Sequence, residues 1–189
     1  MRIIGGRFRG TKLADVGEGD ADAHLRPSAD RTREAVFNML TQGRFGDRVT
    51  GARVLDLFAG TGAMALEALS RGAVRAALVD DGTAARALQR RNIERMQLQG
   101  ATDVWRRDAT ALGINRGASY SLVFLDPPYG AGLGEAALAS AAAGGWIAPG
   151  AVVVWEEGAP PAIPHGFALL DQRQHGRALV TILEAHPAA

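Results

Sequence analysis

Short apolar runs alternate with helical patterns along most of the chain. The runs stop at an acidic residue or a glycine turn, which is typical of strands that are buried on both faces. The segments between them carry apolar residues at helical spacing. We predict strands at 53–56, 76–79, 103–105, 122–125 and 150–155, and helices at 63–69, 83–98 and 133–143, with a further helix that begins near residue 30.

This alternation favours an α/β fold, in which a mostly parallel sheet carries helices on both faces. Near the C-terminus, the segments 167–171 and 178–184 flank Gly176 and predict an antiparallel hairpin at the edge of the sheet. The inward face of helix 83–98 is expected to carry the apolar residues Ala84, Ala87, Leu88, Ile93 and Met96.

The composition excludes several classes of protein. Hydrophobic residues make up 47% and charged residues 22% of the 189 residues, as in one globular domain. The chain has no cysteine, and its four histidines show no ligand spacing, so we expect no metal. Without a membrane-length apolar run or a secretory pattern, we expect a cytoplasmic protein. The net charge is only +1, so any surface that binds nucleic acid must be local.

Residues 1–13 form such a local basic region, because they contain four cations and no acid. Gly5 and Gly6 separate two short β-prone runs and predict a hairpin. Its cations can follow RNA phosphates while the ring of Phe8 stacks on a base, and a solvated terminal ribbon explains them equally well. These cations are Arg2, Arg7, Arg9 and Lys12.

The chain then turns acidic before it becomes basic again. Residues 14–24 are acidic and rich in glycine, which predicts a loop. We therefore divide the chain into a basic hairpin with an acidic loop at 1–24 and a main domain at 25–189. Ser28 or Asp30 is suited to cap the next helix. Three arginines near that helix start are phosphate contacts or ordinary surface residues: Arg26, Arg31 and Arg33.

A glycine turn follows the first strand at once. Asp56 ends that strand, and Gly60-Thr61-Gly62 lets the backbone approach a ligand closely. About 20 residues further on, Asp80 and Asp81 stand where a carboxylate can bind a ribose diol, although two helix-capping acids are the plainer alternative. Asp108 follows the third strand, where an acceptor can bind an adenine amino group or simply stabilise a turn.

The fourth strand ends in Asp126-Pro127-Pro128-Tyr129. Each proline fixes its own φ and lacks an N–H, so the chain leaves the strand in a stiff, non-helical corner. The carboxyl ends of neighbouring parallel strands open into one crevice, and this corner therefore lies where α/β sheets bind ligands. A structural turn with a surface tyrosine is the alternative.

These strand ends together resemble those of class I S-adenosylmethionine-dependent methyltransferases. Asp-Pro-Pro-Tyr is the signature of members that act on exocyclic amines of nucleic-acid bases. Over nearly its whole length the chain resembles the RsmD-type family, the guanine-N2 methyltransferases of bacterial small-subunit ribosomal RNA. The motifs that carry this resemblance, in order, are 2–13, 25–38, the glycine turn with 66–71, and 126–129.

The resemblance implies a Rossmann-like fold with a seven-stranded, mostly parallel sheet and a small N-terminal β-hairpin extension. It implies S-adenosyl-L-methionine as the cofactor, and 16S rRNA or the assembling small ribosomal subunit as the partner of a monomeric enzyme. By this resemblance, RNA contacts the seven cations named above. The cofactor would contact Asp56, Phe58, Ala59, Gly60, Thr61, Gly62, Asp80, Asp81, Asp108 and Ala109. The family commonly has glutamate at position 80, so the choice between Asp80 and Asp81 as the ribose ligand stays open.

The corner also suggests how an amine is methylated. Asp126 and the Pro127 carbonyl can accept its two hydrogens, Pro128 keeps the corner rigid, and Tyr129 can stack on a flipped base. An N6-adenine methyltransferase on DNA or RNA would use the same acceptors. An NAD-dependent oxidoreductase would use the same crevice, and a non-catalytic RNA-binding module would use only the cations.

Overall fold

The structure is a computed structural model that describes residues 1–14 and 30–186. Within these residues one sheet consists of β1 (Arg53–Leu57), β2 (Arg75–Val79), β3 (Thr102–Trp105), β4 (Tyr120–Leu125), β5 (Ile147–Glu157), β6 (Phe167–His175) and β7 (Ala178–Ala185). The strand order is β3-β2-β1-β4-β5-β7-β6. Strand β7 is antiparallel to both of its neighbours, whereas β1 to β5 are parallel to one another. The predicted seven-stranded, mostly parallel sheet is confirmed.

Helices cover both faces of this sheet. They are α1 (Asp30–Gln42), α2 (Ala63–Ser70), α3 (Thr83–Arg95) and α4 (Leu133–Ala143). On one face, Phe37 of α1 and Leu66 of α2 belong to one buried apolar cluster. On the other face, Leu138 of α4 packs in a second cluster with Trp146 and Trp155. None of the described helices is long and apolar enough to span a bilayer.

The ends of two elements differ from the prediction. Helix α3 ends at Arg95 rather than at residue 98, because Gln97 has a φ of 54° and cannot continue a helix. Strand β5 begins at Ile147 rather than at residue 150, because an irregular pairing with Tyr120 extends it.

The buried face of α3 also differs from the prediction. Ala84 and Ala87 are exposed, whereas Gln89 and Asn92 are fully buried. Helical periodicity predicts an apolar inward face for α3, whereas two polar residues occupy part of that face in the structure. The inward residues that the prediction placed correctly are Leu88, Ile93 and Met96.

Residues 1–14, the N-terminal segment, fold back on themselves without forming strands. Arg2 and Lys12 make an isolated antiparallel bridge, and the Ile3 N–H donates to the Thr11 carbonyl at 3.0 Å. The predicted β-hairpin is therefore reduced to one bridge. The buried side chains of Ile3 and Leu13 belong to the same apolar cluster as α1 and α2, so this segment packs on the main core.

The tip of the N-terminal segment lies against the C-terminal end of α2. The Arg7 N–H donates to the Ser70 carbonyl at 2.7 Å, and the Phe8 N–H donates to the Ser70 hydroxyl at 2.9 Å. Gly6 has a φ of 74°, and a Cβ added to it would lie 1.9 Å from the Ser70 carbonyl oxygen. Only glycine fits this approach, which explains why the sequence has one at this position.

Glu67 of α2 ties the same segment to the core. Its carboxylate accepts the N–H groups of Ile4 and Gly5, both at 2.8 Å, and it lies 2.7 Å from Nε of Arg71 and 3.6 Å from Nε of Arg33. The side chains of Glu67 and Arg33 are both fully buried. Four partners therefore surround one buried carboxylate, which satisfies its charge.

Replacing Gly6 with alanine should lower the free energy of unfolding by about 1–3 kcal/mol more than replacing Gly10, as expected for overpacking. Gly10 is a matched control, because its φ of 88° imposes a similar backbone strain while a Cβ there would meet nothing within 4 Å. Urea unfolding of both variants measures the difference. Equal losses would show that the contact of Gly6 with α2 has no energetic weight.

Candidate active site

The carboxyl ends of five parallel strands lie side by side at the same edge of the sheet. Pairing places Leu57 beside both Val79 and Leu125, Val79 beside Trp105, and Leu125 beside Trp155. The chain order reverses between β1 and β4, and such a switch point is where α/β sheets form their ligand crevice. The residues that directly follow these paired positions are Phe58, Asp80, Arg106, Asp126 and Glu156.

The glycine turn connects β1 to α2 in a strained conformation. Phe58, Gly60 and Gly62 all have positive φ values, of 59°, 54° and 80°. A non-glycine residue in this region costs of order 1–3 kcal/mol, and such strain concentrates at ligand sites. Ala59 and Thr61 are buried within the turn, and the Ala59 N–H donates to the Val79 carbonyl at 3.0 Å. The turn is thus held in one shape by hydrogen bonds within the protein.

Asp56, at the end of β1, holds the start of the helix that follows this turn. Its side chain is 3% exposed, and its Oδ2 accepts the Ala65 N–H in the first turn of α2 at 3.0 Å. Burial raises the pKa of Asp56 to about 8. This geometry favours a role in fixing the start of α2 over a direct contact with a ligand.

Asp80 is joined to the turn by its side chain. Its two carboxylate oxygens accept the N–H groups of Gly60 at 2.9 Å and Gly82 at 2.8 Å. Burial raises the pKa of Asp80, although these two hydrogen bonds oppose that shift. Each oxygen keeps a free lone pair for a hydroxyl donor. Asp81 is exposed and makes no such bridge to the turn.

Asp108 begins a short 3₁₀ helix, Ala109–Ala111, at the end of β3. Its Oδ1 accepts the N–H and the hydroxyl of Thr110, at 2.8 and 2.7 Å. The plainer alternative, a turn-stabilising aspartate, is therefore present in the structure. Asp108 is also exposed, which leaves its second oxygen accessible, whereas Ala109 is buried.

Two residues of α3 that the sequence interpretation missed hold the turn from the other side. The Gln89 side-chain amide donates to the Gly60 carbonyl at 2.9 Å, and that of Asn92 donates to the Thr61 carbonyl at 3.0 Å. The signal that identifies them is a pair of polar residues at positions where helical spacing requires the buried face.

The Asp-Pro-Pro-Tyr corner is fastened to the end of β5. The Tyr129 hydroxyl donates to Oε1 of Glu156 at 2.8 Å. The neighbouring Glu157, 8% exposed, accepts the N–H of Gly130 at 3.2 Å with its Oε1. Pro127 is buried and Pro128 exposed, while Asp126 and Tyr129 are half-buried. Glu156 and Glu157 thus fix where the tyrosine ring can lie.

The predicted RNA-binding cations divide into exposed and buried groups. Arg33 does not fit the prediction, because its guanidinium is fully buried, donates hydrogen bonds to Asp30 and to the Arg2 carbonyl, and forms an ion pair with Glu67. It therefore stabilises the fold and cannot offer its charge to a phosphate. Arg26 lies outside the described residues. The cations that are exposed are Arg2, Arg7, Arg9, Lys12 and Arg31.

This edge of the sheet fits S-adenosylmethionine. The glycine at position 60 lets a ligand approach the turn closely, and Asp80 keeps acceptor capacity for a diol. The carboxyl groups of Asp126 and Glu156 follow neighbouring strands at this edge, which suits a cofactor with a positively charged sulfonium. Residues 1–14 and 30–186 contain no cluster of three or more histidine or acidic side chains suited to a metal ion.

Comparison with known proteins agrees with this geometry. The model of the family described as Conserved hypothetical protein 95 matches residues 1–184. The chain is 34% identical to Ribosomal RNA small subunit methyltransferase D of Escherichia coli strain K12 over 180 residues, which cover 94% of this chain and 86% of that protein. It is 30% identical to the Haemophilus influenzae protein of the same name, over 93% of this chain and 89% of that protein.

A solved structure shows the same fold over the whole chain. The Escherichia coli protein yhhF superposes with a TM-score of 0.84 at 32% sequence identity, covering 100% of this chain and 99% of that one. Because the family model and the curated relatives span nearly all of the sequence, the chain belongs to the Conserved hypothetical protein 95, or RsmD, family and is a methyltransferase.

Proposed function

We propose that this protein transfers a methyl group from S-adenosyl-L-methionine to the exocyclic N2 amine of one guanine in bacterial small-subunit ribosomal RNA. One observation supports this most strongly: the Asp-Pro-Pro-Tyr corner directly neighbours the glycine turn, because Leu57 and Leu125 are paired in adjacent strands. The substrate class follows from the relatives, which are named as methyltransferases of that RNA. We further propose a monomer that works in the cytoplasm, where bacterial ribosomes are assembled.

In this proposal the cofactor lies along the carboxyl ends of β1 to β3. The backbone of Phe58 to Gly62 holds its amino-acid part, Asp80 accepts from the ribose hydroxyls, and the free oxygen of Asp108 binds the adenine edge. Asp80 is favoured over Asp81 because it also bonds the turn through the Gly60 N–H. When bound, the cofactor supplies an electrophilic methyl group on a sulfonium centre.

The corner makes a poor nucleophile reactive. The lone pair of a guanine N2 amine is delocalised into the ring, so the nitrogen must become more tetrahedral before it reacts. Asp126 and the Pro127 carbonyl would accept hydrogen bonds from its two N–H groups and direct the lone pair at the methyl group. S-adenosylhomocysteine would be the leaving group, and the methylated nitrogen would lose one proton to the solvent. Because prolines restrict the corner, these acceptors need little reorganisation during the reaction.

Tyr129 positions the base in this proposal. The target guanine leaves its stack and lies on the tyrosine ring, an interaction worth about 1–3 kcal/mol. The hydrogen bond from Tyr129 to Glu156 holds the ring in place before the base arrives. The corner thus has a rigid acceptor end and an anchored aromatic end, which together select a planar base with an exocyclic amine.

The exposed cations of the N-terminal segment bind the RNA backbone. Arg7 and Arg9 lie at the tip of the segment, and the Arg7 guanidinium lies 5.0 Å from the centre of the Phe8 ring. A cation beside an aromatic ring suits a phosphate next to an unstacked base. This local charge explains how a chain with a net charge of +1 binds RNA.

Replacing Asp126 with alanine should lower kcat about 100- to 1000-fold, as removal of one electrostatic contact to the reacting group does in other enzymes. The Kd for S-adenosylhomocysteine, measured by calorimetry, should change little, because the cofactor is held by other residues. Glu94→Ala, which removes an exposed carboxylate from α3, should leave both quantities unchanged. Loss of cofactor affinity with residual transfer in the Asp126 variant would overturn these roles.

Tyr129→Ala should lower kcat/KM for RNA about 10- to 100-fold, because it removes the stacking surface. Tyr129→Phe keeps the ring and loses only the hydrogen bond to Glu156, so its effect should be several-fold smaller. Steady-state kinetics with RNA as the varied substrate measure both. If the two variants are equally impaired, the hydroxyl rather than the ring carries the function.

Replacing Arg7 and Arg9 together with alanine should weaken RNA binding and reduce the slope of log K against log salt by about 1.4, if each neutralises one phosphate of a single strand. Binding of in-vitro transcribed small-subunit RNA at several salt concentrations measures this slope. The control exchanges Arg90 and Arg91, two exposed arginines of α3, for alanine and should keep the original slope. A slope that is unchanged in the first variant removes its arginines from the interface.

A further inference from the structure

The two ends of the N-terminal segment meet beside the glycine turn. The Leu13 N–H donates to the Met1 carbonyl at 3.2 Å, which joins the two ends of the segment. From there Met1 reaches Thr61, whose hydroxyl lies 3.8 Å from the Met1 sulfur. Thr61 is only 6% exposed. The segment proposed to bind RNA is therefore also part of the wall around the turn proposed to bind the cofactor.

Asn92 of α3 joins these two parts with one side chain. Its Oδ1 accepts the Ala14 N–H at 2.6 Å, while its Nδ2 donates to the Ala14 carbonyl at 3.3 Å and to the Thr61 carbonyl at 3.0 Å. The residue is fully buried. Both hydrogens of its amide are used, and they go to different segments. A shift of either segment breaks a buried hydrogen bond and leaves a buried polar group without its partner, which is unfavourable.

The neighbouring Gln89 supplies a contrast within the same helix. It is equally buried, and it donates to the Gly60 carbonyl at 2.9 Å in the same turn. Its hydrogen bond does not extend to the N-terminal segment. Gln89 thus supports the turn alone, whereas Asn92 supports the turn and the segment together.

From this difference we infer that Asn92 is a positioning residue that couples RNA binding to cofactor binding. The inference rests on the proposed function, in which the N-terminal segment contacts RNA and the turn contacts the cofactor. RNA that holds the segment in place also fixes Ala14, and Asn92 then fixes the Thr61 carbonyl. The turn loses less conformational freedom when the cofactor arrives, so each ligand tightens the other, by the same factor.

The coupling is measured as the ratio of two dissociation constants for S-adenosylhomocysteine, one without and one with saturating small-subunit RNA transcribed in vitro. In the wild-type protein we expect a ratio of about five or more. In Asn92→Ala the ratio should fall to about one. In Gln89→Ala both constants should rise while the ratio stays at the wild-type value. A wild-type ratio of one, or a ratio that survives in Asn92→Ala, overturns the inference.

A second measurement needs no variant and thus does not depend on whether Asn92→Ala folds. S-adenosylhomocysteine alone should slow hydrogen exchange of the wild-type Ala14 amide about fivefold, because Asn92 carries the ordering of the turn to it. The Gly117 amide is a matched control, since it donates to the Asn115 side chain at 2.9 Å in an exposed loop, and its exchange should not change. Unchanged exchange at Ala14 contradicts the coupling.

The proposed function and the coupling through Asn92 are contradicted by different results. If the protein neither binds nor methylates small-subunit RNA, the proposed function is wrong. If it binds and methylates that RNA while the ratio of cofactor constants is one, the function stands and only the coupling through Asn92 is wrong.

Discussion

The buried carboxylate of Glu67 determines where the N-terminal segment lies. Arg33 and Arg71 provide two positive charges beside it, and the N–H groups of Ile4 and Gly5 use its remaining acceptor capacity. A buried ion pair gives little net stability, because desolvation offsets most of the attraction, whereas leaving one partner alone is strongly unfavourable. The carboxylate therefore enforces one position of the segment more than it adds stability. In that position the tip of the segment lies on α2, and Met1 at its other end lies against the glycine turn.

The sequence was sufficient to predict the sheet and its crevice. Buried strands and glycine turns are local signals, and parallel pairing then brings Asp80 and Asp126 to one edge without further information. The motif around Tyr129 likewise predicted a stiff corner. What it could not predict is the anchor of that corner: Glu156 lies 27 residues further along the chain, and only the pairing of β4 with β5 brings the two together.

Several differences between prediction and structure concern polar residues that the fold buries. Arg33 was grouped with surface cations because arginine is rarely buried, yet two carboxylates and a carbonyl surround it here. Gln89 and Asn92 were passed over for the same reason, since the inward face of α3 was expected to be apolar. In each case the partners are distant in sequence, and the burial of a polar group makes sense only once those partners are known. Sequence periodicity alone does not supply them.

Helix α2 connects the glycine turn with the N-terminal segment. Helix α2 begins at the glycine turn, where the Ala65 N–H donates to Asp56, and it ends at Ser70, which accepts a hydrogen bond from the tip of the N-terminal segment. One end of this short helix is thus fixed by Asp56 beside the glycine turn, and the other end is bonded to the segment proposed to bind RNA. Asn92 of α3 makes a second connection between the N-terminal segment and the turn, because its side chain bonds both Ala14 and Thr61. A shift of the N-terminal segment therefore disturbs the glycine turn as well, and a basic segment at the surface helps to shape that turn.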